Sequence, residues 1–238
     1  MQKVNKGKVF SRQTYMFEED FLERTITIFW CWFVWSNLAI NFVRTWFNNI
    51  ILIDPENVAE ENLINQNFTI TDLKKSKSKS LEKKIEKEIP YEIFIESFKT
   101  TLEKFIKKFK TFDSDILIIS TDNIESRKNF IKYYKENFKS LKNSIIVFIN
   151  TSSDIISISI TKWNEKFVNN IDDFYKNLKN EDVSVWLCWE KSAYFLWSLI
   201  SWIVISEIKN YFQDFNWLTK EFIYLNKVWK LEEIKQFW

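Results

Sequence analysis

The chain has 238 residues, with 34 basic and 32 acidic side chains and a net charge of +2, so it can bury a sizeable core and presents no global field for a polyanion. It contains no histidine, which excludes Ser-His-Asp triads, imidazole general bases and His-ligated metals, and its two cysteines, Cys31 and Cys188, supply neither a disulfide framework nor a four-cysteine zinc site. A reducing cytoplasm is the expected compartment.

In chain order, residues 1–24 read as a polar N-terminal arm, followed by a single domain over 25–238. Thr25 to Phe29, "TITIF", has the β-branched, uninterrupted character of a buried strand. Next comes "WCWFVWS", in which Trp30, Trp32 and Trp35 stand at the spacing W-x-W-x-x-W. Apolar residues at helical spacing predict a helix over Ser36 to Thr45, and Asn48 to Ile53 is a second buried strand ending on Asp54. Lys74 to Lys87 is strongly basic and reads as a solvated loop and helix face. Pro90 to Ile95 is a candidate third strand and Ser97 to Lys110 an amphipathic helix. Asp115 to Ser120 and Ser144 to Ile149 are further buried strands, whereas Ile155 to Thr161 alternates like an exposed one. Val183 to Lys209 is a loop followed by a mostly apolar helix. Strands alternating with helices predict an α/β fold: a Rossmann-like, doubly wound, mainly parallel sheet with helices on both faces.

One glycine against twelve tryptophans is the compositional anomaly. Average usage of about 7% would give a chain this long roughly 17 glycines. Glycine is the residue at ease where φ is positive or backbones must approach closely. If most tryptophans stood for glycine, the total would be ordinary. We therefore expect UGA codons meant as glycine, as some bacterial lineages read them, to have been translated as tryptophan. Trp30, Trp32, Trp35, Trp46, Trp197 and Trp202 are such positions, as are Trp186 and Trp189; Trp163, Trp217, Trp229 and Trp238 stay open. Read literally, the uncharged runs Ile26 to Val43 and Ser192 to Ser206 suggest membrane segments instead. Their serines and asparagines, and the switch from strand-like to helix-like pattern inside the first run, argue against it, so no membrane association is expected. Neither run resembles a signal peptide.

With glycine restored, "FWCWFVWS" becomes "FGCGFVGS", the G-x-G-x-x-G nucleotide fingerprint. It lies between a strand and a helix, with an acid 19 residues after Trp35. Residues 26–66 then resemble the ThiF/MoeB/HesA family, relatives of ubiquitin-activating enzymes, whose hallmarks are G-x-G-G-x-G-S, L-V-D-x-D and N-L-x-R-Q. Ser11-Arg12-Gln13 is similar to the family's S-R-Q arm. Asp115 to Arg127, "DILIISTDNIESR", resembles its D-x-V-x-x-x-x-D-N-x-x-x-R segment. Cys188 to Lys209 resembles its C-x-E…G-S-L-x-A-x-E-x-x-K tail.

The resemblance implies a cytoplasmic ATP-dependent adenylyltransferase. It would convert the C-terminal carboxylate of a small ubiquitin-like sulfur carrier into an acyl-adenylate, as a homodimer, with a sulfurtransferase as a possible further partner and no nucleic acid. By the same resemblance, Trp30, Trp32, Trp35 and Ser36 stand at the phosphate loop, and Asp54 binds the ribose hydroxyls, with Glu56 the second acid of that cofactor-binding motif. Asn62 and Asn65 also contact nucleotide, Asn65 replacing the family arginine and so removing one phosphate contact. Lys77, in competition with Lys75 and Lys79, is the phosphate lysine. Asp122 holds Mg²⁺ beside Asn123, Arg12 reaches a neighbouring subunit's nucleotide, and Cys188 is either a sulfur-linking thiol or an inert small hydrophobe. The Cys-x-x-Cys pairs of many members are absent, so no zinc is expected. Alternatives are a ThiF-like enzyme acting on another carboxylate or a tRNA base, a catalytically silent nucleotide-binding module, and a small membrane protein. Indoles at 30, 32 and 35 are expected to fill the phosphate space and to forbid positive φ. The tryptophan chain should then neither bind ATP nor fold well, and the glycine chain should do both.

Overall fold

Five strands, each a run of aliphatic or β-branched residues, form the parallel part of the sheet. They are β1 (Thr25–Phe29), β2 (Asn49–Ile53), β3 (Phe94–Phe98), β4 (Ile116–Ile119) and β5 (Ile145–Thr151). A computed structural model describes residues 6–12, 23–29, 33–45, 47–110, 112–121, 124–141, 143–151, 155–162, 169, 173, 194–213, 219–225 and 230–234. Three more strands, β6 (Ile155–Lys162), β7 (Thr219–Leu225) and β8 (Lys230–Ile234), extend the sheet by antiparallel pairing to the order β3-β2-β1-β4-β5-β6-β7-β8. The pairings β3-β2, β2-β1, β1-β4 and β4-β5 are parallel.

Because successive strand residues point to opposite faces, each strand divides between two cores. Ile26, Ile28, Ile50, Leu52, Ile116, Ile118, Ile145 and Val147 belong to one. Phe29, Ile53, Leu117, Ile119, Ile146 and Phe148 belong to the other. The first is covered by helices α2 (Phe33–Arg44), α4 (Lys77–Glu88) and α8 (Tyr194–Gln213), through residues such as Leu38, Phe42, Leu81, Ile85, Val204 and Ile208. The second lies under α5 (Leu102–Lys108), α6 (Ile124–Glu136) and α7 (Phe138–Leu141), through Phe105, Phe130, Tyr134 and Leu141. Helices therefore cover both faces, as the alternating pattern predicts. Each fully buried aliphatic or phenyl side chain is worth about 1.5–3 kcal/mol. A one-residue slip of any central strand would exchange its two faces, so the register is strongly held.

Two short α-helices among the described residues stand apart from these layers, α1 (Lys6–Val9) in the arm and α3 (Asn62–Asn65) between β2 and α4. Phe10, just after α1, is buried edge-on against Tyr91 at 5.0 Å, and the Tyr91 hydroxyl donates to the Val43 carbonyl.

Several local expectations are corrected. The third strand runs over Phe94–Phe98, not Pro90 to Ile95, because Tyr91 is committed to the Val43 and Phe10 contacts and pairing starts where Phe94 N–H donates to the Asn48 carbonyl (2.7 Å). That ladder consumes Ser97 and Phe98, so the next helix begins only at Leu102, N-capped by the Thr101 hydroxyl. Ile155–Lys162 is an interior strand, and Ile158, Ser159, Ile160 and Thr161 are all buried. Its alternation distinguishes two covered faces, not a wet one and a dry one. Among the described residues no helix is long and apolar enough to cross a membrane.

Candidate functional site

From β1 the chain turns to β2 on one side, while β4 lies on the other. The crevice outside the carboxyl ends of β1 and β4 is thus a topological switch point, where open α/β sheets bind ligands. Ser120, following β4, donates through both its N–H and its hydroxyl to the Phe29 carbonyl (3.3 Å each), closing the two strand ends together.

Asp54 follows the last residue of β2 at this same edge. It is fully buried, its N–H donates to the Phe98 carbonyl (3.1 Å), and its Oδ1 accepts from Glu56 N–H at 2.6 Å. That last bond turns the chain through Pro55, a role suited to a short carboxylate. Residues 56–58 then pair with 74–77. Lys74 N–H donates to the Val58 carbonyl (2.8 Å), Val58 N–H to Lys75 (2.8 Å), and Lys77 N–H to Glu56 (3.0 Å). The turn feeding this ladder puts Lys74 at φ 63°, a left-handed position that a side chain occupies at a cost of about 1–2 kcal/mol. Ser76 caps α4 by accepting from Lys79 N–H, and Lys77 is the helix's first residue.

The ladder brings the Lys77 ammonium onto the Glu56 carboxylate. Lys77 is buried, whereas Lys75 and Lys79 are exposed. A cation taken out of water needs a charged or strongly hydrogen-bonding partner. Lys77, the phosphate lysine of the resemblance, lies in a basic run that reads as a solvated face; in the fold its backbone position at the start of α4 turns it inward. Glu56, the second acid of the motif, is the residue that pairs with this lysine.

Asn62 and Asn65 delimit α3. Asn62 is buried with its Oδ1 accepting from Ala59 N–H (2.8 Å), and Asn65 is half-buried. Gln66 is buried, and its Oε1 has no hydrogen-bond partner among the described residues. Ser36 is fully buried in α2, and its hydroxyl accepts from Asn67 N–H (3.2 Å).

Trp35 corrects an expectation. It lies inside α2 without positive φ, fully buried in the first core against Phe68 at 6.4 Å, so its ring fills core and not a loop. What it lacks is a partner for its indole N–H among the described residues. Arg12 is exposed beside the anchored Phe10. Trp30, Trp32, Asp122, Asn123 and Cys188 lie outside the described residues.

Two groups were missed as site-builders. Arg127 is buried, and its guanidinium donates to the Thr121 carbonyl (2.9 and 2.6 Å) and to the Ile149 carbonyl (2.7 Å), fixing the chain just ahead of Asp122. The arginine of the quoted D-N-x-x-x-R segment was the available signal. Asn67 follows N-L-I-N-Q, and nothing in its sequence setting marks it.

The class these features define is a doubly wound α/β protein with an acid and a buried cation at the switch-point edge. Among solved structures, the chain resembles E. coli MccB solved with AMPCPP and MccA, at TM-score 0.69 and 15% identity over 98% of this chain and 73% of that one. It resembles PaaA at TM-score 0.70 and 13% identity, over 98% and 84%. MccB solved with ATP matches at TM-score 0.64 and 15% identity, over 90% of this chain and 65% of that one. At these identities the likeness is one of fold. No protein-family model and no curated protein sequence matches the chain.

Proposed function

We propose that this protein binds ATP at the switch-point edge and adenylates a carboxylate, the finer reading being the C-terminal carboxylate of a small ubiquitin-like sulfur-carrier protein. The observation that carries it is the buried Lys77 ammonium, held on Glu56, whose N–H donates to Asp54 at the carboxyl end of β2. The fold shared with proteins solved with ATP or its analogue AMPCPP supports the same reading.

The residues present suit a nucleotide. Asp54 offers acceptors for ribose hydroxyls at a strand end. Lys77 is a cation whose present partner, Glu56, is 38% exposed and therefore able to give way to phosphate oxygens. Gln66 Oε1, without a hydrogen-bond partner among the described residues, is a buried acceptor suited to an N–H or O–H donor. Bound ATP would supply the electrophilic phosphorus and the pyrophosphate leaving group. The chain's own work is positioning and charge neutralisation. Lys77 offsets repulsion between two anions, and an ionised carboxylate needs no general base, which fits a chain without histidine. Mg²⁺ at Asp122, Arg12 acting across a homodimer and Cys188 chemistry belong to the same proposal.

ATP–pyrophosphate exchange tests it, with the chain as written and with W30G/W32G/W35G, in the presence of a small carrier ending in Gly-Gly. Exchange that needs the carrier and is lost in Lys77→Met is the expected result. A folded protein showing neither exchange nor ATP binding in either form would overturn the reading.

A further inference from the structure

The excursion from β2 to α4 carries Asp54, Glu56, Asn62, Asn65 and Gln66, and reaches Lys77 at its end. One side of it is fixed by the 56–58/74–77 ladder. The other is fixed by Asn67, which makes three hydrogen bonds to two different helices. Its N–H donates to Ser36 Oγ (3.2 Å) and its Nδ2 to Asn37 Oδ1 (2.9 Å), both in the first turns of α2. Its carbonyl accepts from Lys84 Nζ of α4 (3.0 Å). Phe68, the next residue, is buried against Trp35 of α2.

We propose that Asn67 is a positioning residue that sets the distance between the two halves of the nucleotide site: the first turns of α2, and the 62–66 segment with Lys84 behind it. The inference rests on the adenylation reading only for its consequence, since the clamp itself is a set of contacts. A ligand that spans both halves gains from having them held in register, because the ordering cost is met before it binds. A ligand that touches only the Asp54 side does not. The clamp thus acts on ATP, whose phosphates reach the α2 side, and not on adenosine. Ser36, whose hydroxyl accepts from Asn67 N–H, is one anchor of the clamp.

The test uses the full chain and two readouts. Dissociation constants for Mg·ATP and for adenosine are measured for the parent chain, Asn67→Ala, Asn37→Leu and Asn37→Asp, with tryptophan and with glycine at 30, 32 and 35. Asn67→Ala and Asn37→Leu should weaken ATP about tenfold, equivalent to about 1.4 kcal/mol, and leave adenosine unchanged. Asn37→Asp keeps an oxygen acceptor for Asn67 Nδ2 and should restore parental ATP binding. Amide hydrogen exchange supplies the second readout. In Asn67→Ala, residues 62–68 and 33–37 should lose protection while 116–119 keep theirs. Equal weakening of ATP and adenosine, or unchanged binding with unchanged exchange, would overturn the inference. Absence of ATP binding in every form would refute the adenylation reading, and the exchange pattern would then decide the clamp by itself.

Discussion

The Lys77–Glu56 pair is asymmetric, and the asymmetry predicts which partner the fold can lose. The Lys77 side chain is 2% exposed and that of Glu56 38%. Glu56→Gln leaves an ammonium ion in the interior with one neutral amide oxygen to accept from it. Breaking a buried pair in this way costs about 3–5 kcal/mol, and the remaining oxygen places the expected value at about 3. Lys77→Met leaves a carboxylate that water already reaches, while the methionine stem fills the space of the lysine stem. The exposed-pair range of about 0–1 kcal/mol applies there. For a chain of this size, each kcal/mol is about 2–4 °C in Tm. Glu56→Gln should therefore melt about 6–12 °C below the parent, and Lys77→Met no more than about 4 °C below. The double variant should lie near Lys77→Met, since it no longer buries an unpaired charge. Thermal and urea unfolding with unchanged denaturant dependence would check this. If Lys77→Met were the more damaging, or both equal, the lysine would not be the buried partner, and the reasoning about the site would fail with it.

Three further outcomes are expected. Lys74→Gly should stabilise the chain by about 1 kcal/mol in urea titration, because glycine enters the φ 63° turn without the side-chain penalty. Burial raises the hydroxyl pKa of Tyr91 and Tyr134 well above 10, the latter helped by Tyr211, and raises those of Tyr133 and Tyr211 to about 12. These groups are neutral when folded, so their contribution is complete below pH 10 and is lost as pH rises through the folded values. Phenolate absorbance should appear together with unfolding, and phenolate formation in the still-folded chain would refute the linkage. Peptide masses of the protein isolated from its native host should show glycine at 30 and 32, and at 35 if the decoding argument extends to a residue now lodged in the core. UGG codons at those positions would sink that argument.

Where neighbouring letters were enough, the chain was readable. The runs "TITIF", "NIILI" and "ILII" declare strands covered on both faces, and Asp54 follows such a run where an α/β sheet puts its ligands. These are consequences of side-chain chemistry and period, which act over a few residues. Long-range pairing decided the rest. The Asn48–Phe94 and Asn49–Phe94 contacts moved β3 past Tyr91 and shortened the helix that follows it. The antiparallel β7 and β8 joined the sheet without any strand having been foreseen after α8. Lys77 looks like its neighbours Lys75 and Lys79 in a basic run. Only a ladder between residues some twenty apart buries it and gives it Glu56. Trp35 belonged by spacing to a loop and by packing to a core, because the helix had already begun at Phe33 and turned its ring toward Phe68. Periodicity is written residue by residue and determines what each segment must become. Which partner meets which is decided only when separate segments close on one another, and the juxtaposition of Asn67, Ser36, Asn37 and Lys84 exists only there.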